Sequence, residues 1–342
     1  MKEGEALSIL SKKYDWIINT ITVLKSGLIN QTIKVETKDC SYIVQQINTN
    51  VFNNPYAIDE NIKQIGAYLK TNFPSYSFVN LVPCTQGNTL HVIDEKYFRV
   101  FEIVNDSKTI EIVETEHQAF EAAKQFGKFT SLLHNFPLNK LHTTLSNFHN
   151  LSLRYNQFLS ALKNGNKDRV MQCKSLIKSV ENNVNICKKF NYFVSNKNAL
   201  QRVTHHDTKI SNVLFNSDDN AICVIDLDTV MPGYFLSDVG DMIRTYVSPT
   251  TEEESNFDKI LIRKEFLQAI KEGYLQEMQF VLTPFEIEHF FFGGETLIFM
   301  QALRFLTDYL NNDIYYSTTY KEQNFVRATN QLKLLHELQL SI

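Results

Sequence analysis

One stretch limits what this chain can fold into more than any other: Arg202 to Asp228, RVTHHDTKISNVLFNSDDNAICVIDLD. His205-His206-Asp207 opens a polar loop that also carries Lys209 and Asn212. Val213-Leu214-Phe215 and Ala221 to Ile225 are short apolar runs, and Ser217-Asp218-Asp219-Asn220 between them is turn chemistry. Two apolar runs joined by such a turn predict a β-hairpin. The hairpin returns Asp226-Leu227-Asp228 to the edge where the polar loop ends. Asp207, Asn212 and Asp226 can therefore converge although the first and last are 19 positions apart. These residue types suit phosphoryl transfer. An Asp on a loop accepts the proton of an attacking hydroxyl, an Asn and a second Asp supply hard oxygen ligands for Mg²⁺, and Lys209 sits over the charge on the transferred group. The plainer alternative is a hairpin that merely has one polar edge; four positions in order and register weigh against it.

The rest of the composition narrows the class. The chain has 342 residues, 43% hydrophobic and 21% charged, enough for one large domain or two lobes. Its net charge of −4 offers no basic field for nucleic acid. Five cysteines without a C-x-x-C spacing read as reduced thiols of a cytoplasmic protein. The N-terminus, MKEGEALSIL, lacks the long apolar run of a signal peptide. His289 to Leu306 is apolar but interrupted by Glu295, Gln301 and Arg304, which predicts a buried helix and no membrane partner. Oligomeric state is not legible.

Along the chain, residues 1–20 read as a short amphipathic helix. Ile21 to Leu24, a turn at Lys25-Ser26-Gly27 and Leu28 to Thr37 read as a hairpin whose turn, with Asn30 and Thr32 beyond it, lies where backbone N–H groups reach phosphate. Ser41 to Ile47 is the next strand, with Ile43 and Gln45 on it, and Pro55 to Leu69 a helix with Glu60 early in it. Strands Leu90–Ile93 and Tyr97–Phe101 follow, and Phe101-Glu102-Ile103-Val104-Asn105 crosses into a helical region. Gln118 to His134 has a broad apolar face, and Gly127 in mid-helix marks close helix packing. Residues 156–200 read as two helices separated at Lys163 to Asn166. Asp238 and Asp241 read as supports for the catalytic loop. His149, and the segment with Arg304, Asp308 and Tyr315, offer a cation, a carboxylate and aromatic rings to a sugar; the alternative for Arg304 and Asp308, four apart, is an ion pair between helices.

The H-x-D-x-K-x-x-N loop followed by an apolar segment ending in Asp matches the catalytic and metal-binding loops of the protein-kinase-like fold. GLINQTIKVET, YIVQQIN, THHDTKISNVLF, VIDLDTVMPG, DVGDMIR and RFLTDYL together resemble the N-acetylhexosamine 1-kinases of the aminoglycoside phosphotransferase and choline kinase superfamily. The resemblance runs from about residue 25 to about residue 335. It implies an α+β, bilobal fold: an N-lobe over residues 1–105, with a small antiparallel sheet, and a mainly helical C-lobe over 106–342. It implies ATP and Mg²⁺, and transfer to the anomeric hydroxyl of N-acetylglucosamine or N-acetylgalactosamine. By matched position Asp207 is the base, with Lys209 beside it, and Asn212 and Asp226 are the metal ligands. Gly27, Asn30, Thr32, Ile43, Gln45, Glu102 and Ile103 fall on the nucleotide.

Two departures stand out. Gln45 replaces the strand-three Lys that usually pairs with a helix Glu, leaving Lys209 or Lys34 to supply positive charge. His206 replaces the small or polar residue usually found before the catalytic Asp. The rival readings are a kinase of another small hydroxyl compound (aminoglycoside, choline or methylthioribose type) and a nucleotide-binding pseudokinase.

Overall fold

The computed structural model describes residues 3–24 and 29–342. Helix α1, Glu3–Tyr14, precedes a five-stranded antiparallel sheet of β1 (Ile18–Leu24), β2 (Gln31–Thr37), β3 (Ser41–Ile47), β4 (Leu90–Ile93) and β5 (Lys96–Glu102), in the order β1-β2-β3-β5-β4. β-Branched and aromatic residues fill these strands, and their alternation puts Ile33, Val35, Val44, Phe98 and Val100 against Leu7, Leu10 and Tyr14 of α1 in a small core. The expected amphipathic helix is thus shorter than residues 1–20, because Ile18 already belongs to the first strand. Helix α2, Pro55–Asn72, starts with Pro at its first position and an Asn54 cap that accepts from the Ala57 N–H. Asn61 in α2 ties it to the second lobe: its amide donates to the carbonyls of His142 and Val230 and accepts from the His142 N–H.

The larger lobe is mainly helical. It holds α3 (Glu116–Leu132), α4 (Leu151–Asn164), α5 (Lys167–Gln172), α6 (Lys174–Asn182), α7 (Asn185–Ser195), α8 (Phe235–Tyr246), α9 (Lys264–Met278), α10 (Pro284–Glu288), α11 (Phe290–Leu310) and α12 (Gln323–Gln339). A capping box of Thr115 and Gln118 starts α3. Gly127 of α3 lies against α9, where an added Cβ would sit 2.9 Å from the Tyr274 carbonyl oxygen, so the close packing expected at this glycine is observed. Residues 156–200 do not form two helices. The expected break at Lys163 to Asn166 is there, between α4 and α5, but Cys173 and Asn183-Val184 divide the remainder, so α4 to α7 span the segment. Gly165 ends α4 and Asn166 caps α5, its side chain accepting from two backbone N–H groups.

The short strands of this lobe carry the loops that matter. β7 (Gln201–Thr204) pairs with β10 (Met231–Tyr234), and β8 (Val213–Phe215) pairs with β9 (Ala221–Val224) and with β6 (Lys108–Thr109). The β8–β9 hairpin is the one the sequence predicts. Arg202 in β7 is buried and grips buried Glu286 with two hydrogen bonds of 2.6 and 2.7 Å. The bidentate pair fixes the strand from which the catalytic loop leaves.

The lobes together form a bilobal α+β fold with protein-kinase-like architecture. No helix of the described residues is long and apolar enough to cross a membrane. All five cysteines are free thiols, Cys40 exposed and the other four buried.

Candidate active site

A cleft of about 530 Å³ lies where the sheet meets the β8–β9 hairpin. Its walls include Asn30, Thr32, Ile43, Gln45, Glu102 and Ile103 from the first lobe, and Lys209, Asn212 and Asp226 from the second. The expected nucleotide-facing residues within the described chain therefore share one cavity with the expected metal ligands. Gly27 lies outside the described residues.

The loop from His205 to Asn212, the candidate catalytic loop, is built by hydrogen bonds to its backbone. Asp238, at the start of α8, accepts from the N–H groups of His205 and His206, and Asp241 accepts from that of Thr208 at 2.8 Å. The Thr208 hydroxyl donates to the Asp238 carbonyl, and Tyr246 donates to the Thr208 carbonyl. His205 bonds the Ile225 carbonyl at 2.9 Å through Nε2, joining the loop to the residue before Asp226. Asp238 and Asp241 are thus supports of the loop, as their positions suggested.

Asp207 lies at the mouth of this scaffold. Its Oδ2 accepts from Asn212 Nδ2 at 2.8 Å and lies 3.3 Å from Lys209 Nζ. Among the described residues no group hydrogen-bonds Oδ1, which leaves one oxygen for an acceptor hydroxyl. Burial lowers the pKa of Lys209, but Asp207 and Asp226 outweigh it and raise the value, so the ammonium stays charged. Asn212 spends its amide N–H groups on Asp207 and keeps Oδ1 for a ligand.

Asp226 sits in the left-handed backbone region at φ 60°, where the turn after β9 swings its carboxylate into the cleft. Burial, then Asp228 and Asp207 nearby, push its pKa up to about 7. A carboxylate crowded by two others, opposite a free amide oxygen, fits a hard divalent cation held by oxygen.

The second departure, His206, is also left-handed, at φ 69°. Its ring packs on Gly233, where any Cβ would collide with it, and near His149, with ring centroids 5.4 Å apart. Both ring nitrogens are buried and have no hydrogen-bond partner among the described residues. Burial, then His205, drives its pKa down to about 3. The unfolded chain takes up a proton near pH 6.5 that the folded chain refuses. Stability contributed by neutral His206 is thus fully present above pH 6.5 and is lost as pH falls toward 3. His206→Asn tolerates the same backbone and removes the titration. Its melting temperature is expected to fall less than that of the wild type between pH 7 and pH 5, a gap worth about 2 kcal/mol at pH 5. Parallel melting curves of the two proteins across that range would contradict this.

His149 packs beside the His206 ring and is not among the residues that line a second cavity of about 390 Å³, whose walls include Arg154, Arg304, Asp308, Tyr315 and Tyr316. Phe148 stacks on His149 and lies under the Arg304 guanidinium, 5.9 Å away. The suggested Arg304–Asp308 pair does not form. Asp308 accepts from the N–H groups of Tyr315 and Tyr316 and from Asn324, and so folds the loop that carries both tyrosines. Arg304 and Arg154 have no carboxylate partner among the described residues: Arg304 donates to Gln301, and Arg154 to Gln157 and the carbonyls of Asn147 and Phe148.

The expected sources of positive charge near strand three need correction. Lys34 pairs with Glu36 at 2.6 Å and does not line the cleft. Glu60 is bonded to Gln64, one turn along its own helix, and not to the third strand. Sequence reasoning missed Arg99. In β5 it lies directly across from Gln45, is buried, and sits 2.5 Å from Asp228. The available signal was a lone cation in the apolar strand Tyr97-Phe98-Arg99-Val100-Phe101.

A kinase-like fold whose interlobe cleft is lined by Lys209, Asn212 and Asp226, with the Asp207 carboxylate bonded to Asn212, belongs to a phosphotransferase. Residues 20–281 match the phosphotransferase enzyme family (APH), well over half of the chain, and the protein belongs to that family. Use of ATP with Mg²⁺ is typical of its kinases.

Similar solved structures include an amicoumacin kinase in complex with AMP-PNP, Ca²⁺ and Ami, at TM-score 0.66 and 15% identity over 98% of this chain and 94% of that one. A spectinomycin phosphotransferase with ADP and spectinomycin matches at TM-score 0.65 and 10% identity over 99% of both chains. A microcompartment-associated aminopropanol kinase matches at 0.60 and 16% over 98% and 96%. At these identities the likeness is one of fold.

Proposed function

We propose that the protein transfers the γ-phosphoryl group of ATP to a hydroxyl of a small, polyhydroxylated acceptor, and that the acceptor is an N-acetylhexosamine phosphorylated at its anomeric oxygen. The observation that carries the first part is Asp207: one oxygen is anchored by Asn212 and Lys209, and the other takes no hydrogen bond among the described residues. The acceptor's oxygen attacks phosphorus, the bond to the ADP oxygen breaks, and the proton passes to Asp207. Lys209 faces the charge on the transferred group. Asn212 and Asp226 would hold a Mg²⁺ ion, whose charge would offset that of the phosphates. Gln45, Thr32 and Asn30 form the phosphate side of the cleft, and Ile43, Glu102 and Ile103 its adenine side. The lobes meet at residues 105/106 in this reading.

The acceptor pocket supports the second part. Two arginines without carboxylate partners repel a polycationic aminoglycoside but tolerate a neutral sugar. Arg304, Asp308 and Tyr315 are the residues assigned to it, with His149 stacked behind Phe148. The anomeric hydroxyl is more acidic than an ordinary alcohol, so an Asp carboxylate suffices to take its proton late in the transfer. The solved structures favour the broader alternative, a kinase of another small hydroxyl compound, since they include an amicoumacin kinase and a spectinomycin phosphotransferase.

ADP release from MgATP with N-acetylglucosamine, N-acetylgalactosamine, galactose, spectinomycin, kanamycin, choline and aminopropanol separates the two. The sugar reading expects turnover on the acetamido sugars at least about tenfold above the other acceptors, one well-made set of polar contacts. Turnover confined to the remaining compounds keeps the phosphotransferase and discards the sugar. Nucleotide binding with silence on every acceptor favours a non-catalytic, partner-binding role.

A further inference from the structure

The absence of a strand-three lysine leaves open how this cleft holds phosphate. Three observations bear on it. Gln45 Oε1 accepts from both Nε and Nη2 of Arg99, at 3.1 and 2.9 Å. Arginine is donor-only, so this grip dictates the amide's orientation: Oε1 faces Arg99 and Nε2 faces away. Nε2 donates to Thr32 at 3.2 Å, and both Gln45 and Thr32 line the cleft, leaving the second N–H of the amide for a ligand.

Arg99 itself is 1% exposed, and its compensating charge comes from the other lobe. Nη1 lies 2.5 Å from Asp228 Oδ1 without hydrogen-bond alignment, while Asp228 Oδ2 accepts from Asn30 at 2.7 Å. Asp228 is two residues from Asp226, so the same guanidinium links the sheet to the proposed metal ligand.

We propose that Arg99 is the positioning residue that replaces the lysine: it presents the Gln45 amide as a phosphate ligand and ties β5 to the Asp226 loop through Asp228. Gln45 is then a neutral donor backed by a buried cation, not a defective lysine position. The inference rests on the reading of this cleft as the nucleotide site.

Three single variants of the full chain test it, each titrated with MgADP and with adenosine, and with melting temperature recorded. Gln45→Glu keeps an acceptor for Arg99 but turns a carboxylate toward the phosphates. MgADP affinity is expected to fall at least roughly tenfold, with adenosine affinity and melting temperature maintained. Gln45→Lys puts two cations face to face and is expected to weaken MgADP, whereas a vacant lysine position would gain affinity from it. Arg99→Lys keeps the charge but loses the fork, and is expected to weaken MgADP and leave adenosine unchanged.

The proposal is overturned if Gln45→Glu binds MgADP as tightly as the wild type, or if Gln45→Lys binds it more tightly. Equal losses of MgADP, adenosine and melting temperature in Arg99→Lys would reduce Arg99 to a structural residue. Wild-type protein that binds neither ligand would instead remove the nucleotide-site reading, and this proposal with it.

Discussion

Asp207→Asn is expected to lower kcat by about a thousandfold or more while the protein keeps its fold and its affinity for MgADP. The substitution is isosteric. An amide at this position still accepts from Asn212 through its oxygen, so the loop built on Asp238 and Asp241 is undisturbed. What disappears is the free carboxylate oxygen that takes the acceptor's proton, together with the charge that holds Lys209 at 3.3 Å. Single-turnover ADP release beside an MgADP titration separates chemistry from binding. Turnover within about tenfold of the wild type would show that Asp207 is not the base.

Asp226→Asn carries the second large effect. Its carboxylate takes no protein hydrogen bond among the described residues, sits in a left-handed conformation and is crowded by Asp207 and Asp228. That is an expensive arrangement unless a cation completes it. Losing the charge is expected to reduce turnover at fixed Mg²⁺ by more than about a hundredfold, since a Lewis acid on transferring phosphate contributes several kcal/mol. The Mg²⁺ concentration needed for half-maximal rate should rise with it. The melting temperature of the metal-free protein should stay level or rise, because like charges no longer crowd. Unchanged Mg²⁺ dependence would move the metal elsewhere in the cleft.

The two variants sort the roles that one loop and one hairpin bring together. That hairpin was the most legible part of the chain because its signals are local: two apolar runs, a four-residue polar turn, and acids at the return. β3 was equally plain, and the structure places it at Ser41–Ile47 as read. The further break-up of residues 156–200 was not: Gly165 marks the first break, but the helices that end at Cys173 and Asn183 have no glycine or proline to announce it.

The phosphate side was read least well for a different reason. Gln45 and Arg99 are 54 positions apart, and they meet only because β3 and β5 pair in a register that no short-range pattern reports. Arg304 and Asp308 show the converse. Their spacing suggested an ion pair, but Asp308 meets the backbone of the loop at Tyr315 and Tyr316 instead, seven and eight residues on. Helix periodicity places side chains on a face; it does not say which neighbour takes them.

The most direct test of the central claim is where the phosphate goes. Wild-type protein, MgATP and N-acetylglucosamine should be incubated to completion and the sugar product examined by phosphorus NMR and by copper reduction. Transfer to the anomeric oxygen gives a phosphate signal coupled to the anomeric proton and a product that no longer reduces copper. A phosphorylated product that still reduces copper would place the phosphate on another hydroxyl, and no phosphorylated sugar at all would contradict the proposed acceptor.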